Sequence, residues 1–170
     1  MSTWATVAGD AMLRVWDVYS HKLLRSASIE MAARACAHSP DGAYIAIGFG
    51  ATRKRSAAEL HGKISFVRES DLEVQLELRD SRSMITEMKW SATCRSVGIS
   101  SSTAGTILAV GSMDTCIYLY RIGGVAASSS TSRLSARLVR KIDNAFTAFI
   151  PILTSAWTAG TLQPLVVPTH

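Results

Sequence analysis

The chain is poor in cysteine: Cys36, Cys94 and Cys116 are the only three in 170 residues, and they lie far apart. No two have the spacing of a zinc knuckle or a redox pair, and an odd number argues against a disulfide framework. Cys36 and Cys116 fall inside apolar stretches, where a free thiol behaves as a small hydrophobe. Long apolar runs are missing as well. The best, Ala145–Leu153, carries Pro151 and falls well short of the roughly 18 residues that a spanning helix needs. Met1 to Trp4 shows no basic region followed by an apolar stretch, so no secretory signal is visible and the expected location is the cytoplasm. No long stretch has helical periodicity.

Catalytic patterns are also scarce. Gly48-Phe49-Gly50-Ala51-Thr52-Arg53 is half of a Gly-rich phosphate loop, but it lacks the third glycine and no helix is predicted after it. No Gly-x-Ser-x-Gly elbow accompanies the many serines. His21, His38, His61 and His170 have no spacing suited to a metal or to acid–base work. Glu69, Asp71 and Glu73 are grouped in one turn and strand, which reads as a solvated face. The expectation is a protein that is not an enzyme, with no cofactor and no metal.

What the sequence does contain is short β-like runs punctuated by turns. Trp4–Ala8, Met12–Asp17, Lys22–Ile29, Ala33–His38 and Ala43–Gly48 read as strands. Ser39-Pro40-Asp41-Gly42 is a hairpin signal with a mechanism: proline presets φ, aspartate bonds its own backbone, and glycine accepts positive φ. Leu72–Leu78 alternates, with Leu72, Val74, Leu76 and Leu78 set against Glu73, Gln75 and Glu77. That predicts one buried face, and the glutamates suit an outer strand that must not pair with another molecule. Ala43–Gly48 and Thr106–Gly111 are apolar on both faces and read as inner strands. Met84–Trp90 is compatible with a short helix, but its place before a turn and a further strand favours β.

One phrase occurs twice. Asp10 is followed six positions on by Trp16, and Asp114 six positions on by Tyr120, each at the end of an apolar run. A weaker copy lies at Gly62-Lys63-Ile64-Ser65-Phe66-Val67-Arg68. Recurrence at intervals of about 50 residues is the mark of a repeat architecture. The turn aspartate can cap backbone N–H groups, and the aromatic can fill the space between adjacent sheets. The middle copy offers no equivalent aspartate and should lack part of any network built on it.

These phrases resemble the WD-repeat β-propeller family. Val15-Trp16-Asp17 looks like its terminal Trp-Asp, and the Ser39–Gly42 hairpin with Ala43–Gly48 looks like the start of a blade. Tyr120-Arg121 and Val67-Arg68 replace Trp-Asp in the other units, and the family's Gly-His dipeptide is missing. His38 stands where the family has a large apolar residue; a buried histidine with a partner, or a looser core, is expected there. Within the family, Ala33–Gly50, Gly62–Val67, Ile85–Ser91 and Leu108–Asp114 are similar to the echinoderm microtubule-associated protein-like group.

The resemblance implies an all-β fold: a partial β-propeller of about three four-stranded antiparallel blades, not a closed ring by itself. The blades would span about 4–30, 31–79 and 80–143, with 144–170 an incomplete further blade or an irregular tail. The first unit begins with its second strand, so further blades from a longer chain or a partner are expected to complete the ring. Asp10, Trp16, Asp17, Asp41, Gly42, Asp114 and Tyr120 become structural signature residues. The function implied is a protein-interaction scaffold that binds microtubules or tubulin; the alternative is a general adaptor in a ubiquitin-ligase, trafficking or RNA-processing complex. The net charge of +5 is unevenly placed. Arg53, Lys54 and Arg55 form one cluster and Arg133, Arg137, Arg140 and Lys141 a second, and both suit an acidic protein surface. Nucleic acid is not the expected partner, and no membrane span is expected.

Overall fold

The computed structural model describes residues 3–50, 62–91, 106–124 and 134–145. These residues form eleven strands: β1 (Thr3–Val7), β2 (Met12–Asp17), β3 (Leu23–Ser28), β4 (Ala33–His38), β5 (Tyr44–Phe49), β6 (Ile64–Arg68), β7 (Val74–Leu78), β8 (Ile85–Trp90), β9 (Thr106–Ser112), β10 (Ile117–Gly124) and β11 (Leu134–Ile142). They make three antiparallel sheets, ordered β1-β2-β3, β4-β5-β6-β7 and β8-β9-β10-β11. Each sheet is a meander in which neighbours in sequence are neighbours in space, and no ring or barrel closes among the described residues. The fold is all-β and propeller-like, with three strands rather than four in the first sheet. The stretch Met84–Trp90 forms strand from Ile85 on, not helix, and no described helix is long and apolar enough to cross a membrane.

The sheets stack face to face, and two apolar clusters fill the spaces between them. Leu13 and Val15 of the first sheet meet Ala33, Ile45, Ile47, Phe49 and Val67 of the second. On the second sheet's other face, Ala46, Ile64 and Phe66 meet Ile85, Met88, Leu108, Val110, Tyr118, Tyr120 and Ile122 of the third. β5 and β9 lie inside their sheets and feed these clusters, which is why their sequences are apolar on both faces. Gly48 is a packing residue rather than part of a ligand loop: a Cβ there would overlap the Ile85 side chain of the neighbouring sheet.

Backbone geometry repeats as the sequence does. Ala11, Gly62 and Thr115 all have positive φ (56°, 76° and 66°), each in the turn before the third strand of the repeating pattern, β2, β6 or β10. Gly62 supplies this conformation without steric cost, whereas Ala11 and Thr115 adopt it despite a Cβ. In the next turn, His21 and Leu72 are also left-handed (φ 55° and 59°), and matching bonds run from Asp17 N–H to Lys22 O and from Arg68 N–H to Glu73 O, both 2.9 Å.

β7 departs from the alternation read in its sequence. Val74 is 55% exposed although the pattern assigns it to the buried face. A register shift between Phe66 and Val67 opposes Val67 to Val74 and Phe66 to Leu76, so the two ends of β7 do not share one pleat.

Candidate functional site

Two sets of residues bear on function: the turn aspartates with their networks, and the cationic outer strand. Asp114 sits in the β9–β10 turn. Its Oδ1 accepts the Cys116 N–H at 3.1 Å, and its Oδ2 accepts the Tyr118 hydroxyl at 2.7 Å and the Ser81 hydroxyl at 3.1 Å. Ser81 and Ser112 share a further bond at 2.8 Å, which ties the β7–β8 connection to β9. Burial works to raise the Asp114 carboxyl, but the bonds from Tyr118, Cys116, Ser112 and Ser81 outweigh it and hold it below its ordinary value. Burial, together with the same contact, pushes the Tyr118 hydroxyl well above its ordinary value.

Asp10 repeats the geometry at an exposed position. Its Oδ1 accepts Met12 N–H at 3.1 Å, and its Oδ2 takes Arg14 at 2.6 Å where Asp114 takes Tyr118. Asp17 caps the β2–β3 turn by accepting Tyr19 and Ser20 N–H groups at 3.0 and 2.6 Å. Asp41 accepts Ala43 N–H at 3.1 Å and the Ser39 hydroxyl, while Gly42 takes φ 72° and donates to Ser39 O at 2.9 Å. The two aromatic signature residues differ. Tyr120 is fully buried between the second and third sheets, its hydroxyl near Asp80 but without a well-formed bond. Trp16 instead lies on the face of the first sheet away from the second, opposite Trp4 and donating from Nε1 to Thr6 Oγ1 at 2.9 Å. It fills no space between sheets, because no described sheet covers that face.

The middle unit contains a group that the sequence reading passed over. Lys63 is 1% exposed and pairs with Glu30 at 2.6 Å and Glu77 at 2.5 Å, its Nζ lying 5.5 Å from the Phe49 ring centroid. Glu30 comes from the β3–β4 connection and Glu77 from β7, so the ammonium joins the edge of one sheet to the lead-in from another. A lysine is almost never fully buried unless paired, and no residue near Lys63 in sequence foretells the two carboxylates that pair with it here.

His38 is half-buried, and its Nε2 has no partner among the described residues; burial lowers its pKa, opposed in part by Glu69. A buried histidine with a partner, or a looser core, was expected; the ring is only partly buried and its Nε2 finds no partner. Cys36 and Cys116 are free thiols, both pushed up by burial, as suits packing groups. Cys94 lies outside the described residues. Among the described residues no cluster of His, Cys, Asp and Glu could hold a metal.

Of the cationic candidates, Arg53, Lys54, Arg55 and Arg133 also lie outside the described residues. Arg137, Arg140 and Lys141 come together on β11, the outer strand of the third sheet. Arg121 joins them from β10, directly opposite Arg137, and the sequence reading did not include it. Lys141 is held by Asp143 at 2.7 Å and lies 5.7 Å from the Tyr118 ring centroid. Against these geometries, a scan of the chain with protein-family models finds no match.

Proposed function

We propose that the chain is a non-enzymatic protein-interaction scaffold of WD-repeat type whose cationic surface engages an acidic protein partner, with tubulin in microtubules as the partner that its sequence resemblance favours. The observation that carries this reading is the outer strand β11, which exposes Arg137 and Arg140 beside Arg121. Opposite-sign surfaces steer encounter and set specificity. The turn aspartates, by contrast, are engaged in holding turns and are read as scaffold.

Co-pelleting with microtubules tests it. Exposed charges are screened over about 8 Å at physiological ionic strength, so pelleting should fall steeply as salt rises. Replacing Arg53, Lys54 and Arg55, or Arg137 and Arg140, with glutamine should weaken it further. Pelleting that ignores both changes rejects the reading. A general adaptor role is the second reading, favoured by the apolar groups exposed on the first sheet: Trp4 at 50%, Tyr19 at 80% and Leu23 at 48%. An affinity pull-down that enriches other proteins without tubulin would select it.

A further inference from the structure

The outer strands of the three sheets treat their charges differently. On β3, Arg25 is paired with Glu69 at 3.0 Å. On β7, Glu77 is paired with the buried Lys63. On β11, Lys141 is paired with Asp143, but Arg137 and Arg140, with Arg121 beside them on β10, have no ion pair among the described residues. The register puts all three on one face. Arg121 opposes Arg137 and Leu119 opposes Arg140, and directly opposed residues of an antiparallel ladder point the same way. Arg121 and Leu119 are two apart on β10, so they too share that face. Two like charges directly opposed are destabilising where nothing neutralises them.

The strand itself is open. β11 ends the sheet order, so among the described residues one edge of its backbone has no strand beside it. It is nine residues long, with Leu138 and Val139 exposed at 38% and 51%. Val139 is the residue displaced at the bulge opposite Leu119 and Tyr120. A long, partly apolar edge accepts another strand readily, and positive charge on it excludes a second copy of itself while favouring an acidic one.

We propose that β11 is a docking edge for an extended acidic segment of a partner protein, which adds as a further strand and sets carboxylates on alternate residues against Arg137 and Arg140, with Arg121 adding its charge to the same face from β10. The alternation follows from the pleat, since every second side chain of an added strand meets the arginine face. Side chains between them meet the Leu138 and Lys141 face, where short apolar residues fit. A nucleic acid would use the charge but neither the free backbone edge nor the exposed Leu138 and Val139. The inference rests on the reading of this chain as a protein-interaction scaffold and names the chemistry of its partner.

The test is fluorescence anisotropy of the full chain with a labelled nine-residue peptide carrying glutamate at alternate positions and valine or threonine between. Controls are a peptide of the same composition with its glutamates consecutive and a single-stranded oligonucleotide of equal charge. The alternating peptide should bind saturably, at least about tenfold more tightly than the consecutive one, and more weakly as salt rises. Arg121→Glu supplies a cross-strand partner for Arg137. It should therefore hold or raise the melting temperature while weakening the peptide by about tenfold or more. Should that variant fold poorly, Arg140→Glu gives the second measurement on the same face. Equal binding of the two peptides, tighter binding of the oligonucleotide, or indifference to both substitutions would overturn the proposal. Alternating-peptide binding without microtubule pelleting supports the edge and removes tubulin; pelleting unaffected by Arg121→Glu and Arg140→Glu, with no peptide binding, removes the edge and leaves tubulin.

Discussion

Asp114 concentrates more bonds than any other carboxylate described in the chain, and its chemistry can be read by titration. Its carboxyl is held below the ordinary value of 3.8, so the stability it contributes is complete above that pH and is lost as pH falls through the lower folded value. Tyr118 is raised above its ordinary value of 10.0, so its contribution is complete below pH 10.0 and lost as pH rises through the higher folded value. The melting temperature of the native chain should therefore fall at both extremes, and Asp114→Asn should flatten both limbs. The same substitution at neutral pH should cost about 2 kcal/mol, because the bonds that Tyr118 and Cys116 make to a charged acceptor are weakened. A melting curve whose acid and alkaline limbs are unchanged in Asp114→Asn would remove the network from the account. Asp41 and Gly42 were legible from sequence at this scale because a four-residue turn contains its own causes. Lys63 was not, because its two partners come from other turns and strands.

At the scale of elements, the Lys63 ion pairs join β7 and the β3–β4 connection to β6. Lys63 is buried but its two carboxylates are partly exposed, so removing the ammonium strands no buried charge and the cost of truncation is mainly the space that its stem fills, about 2–5 kcal/mol. Truncation by Lys63→Ala should fall in that range by urea denaturation, and Lys63→Met should recover most of the loss. Equal losses in the two variants would mean that the ion pairs matter more than the filled space. Strand identity was largely legible. β2 and β4 run over the residues that their alternation and turns predict, and β5 and β9 are inner strands as their two apolar faces require. Val74 was misassigned because a bulge in the β6–β7 register resets the pleat, and a single strand's alternation does not record what its partner does.

For the whole molecule, each sheet touches only its neighbours, so stability is distributed like that of a stacked array. The second sheet is covered on both faces by described sheets, whereas the first is covered on one. Much of the first sheet's outer strand is exposed: Leu23 is 48% and Leu24 38% open. Native-state hydrogen exchange should accordingly show the amides of β5 and β6 as the slowest, with those of β1 to β3 opening at lower free energy. Protection as high in β1 to β3 as in β5 would indicate cover over the Trp4 and Trp16 face in solution. The candidate site follows the same logic. The sequence marked Arg133, Arg137, Arg140 and Lys141 as one cluster by proximity, but Lys141 turns to Asp143 and the Tyr118 ring on the opposite face of the sheet, and Arg121 joins Arg137 and Arg140 from the neighbouring strand.

The sequence by itself determined the all-β class, the repeated turn-and-strand unit and most strand identities, because period-2 alternation, turn residues and Asx caps act within a few residues of chain. Only the tertiary structure decided which faces are covered, where register slips, which charges find partners and which remain for another molecule. Those outcomes depend on residues brought together from distant turns and strands, and no local pattern carries that information.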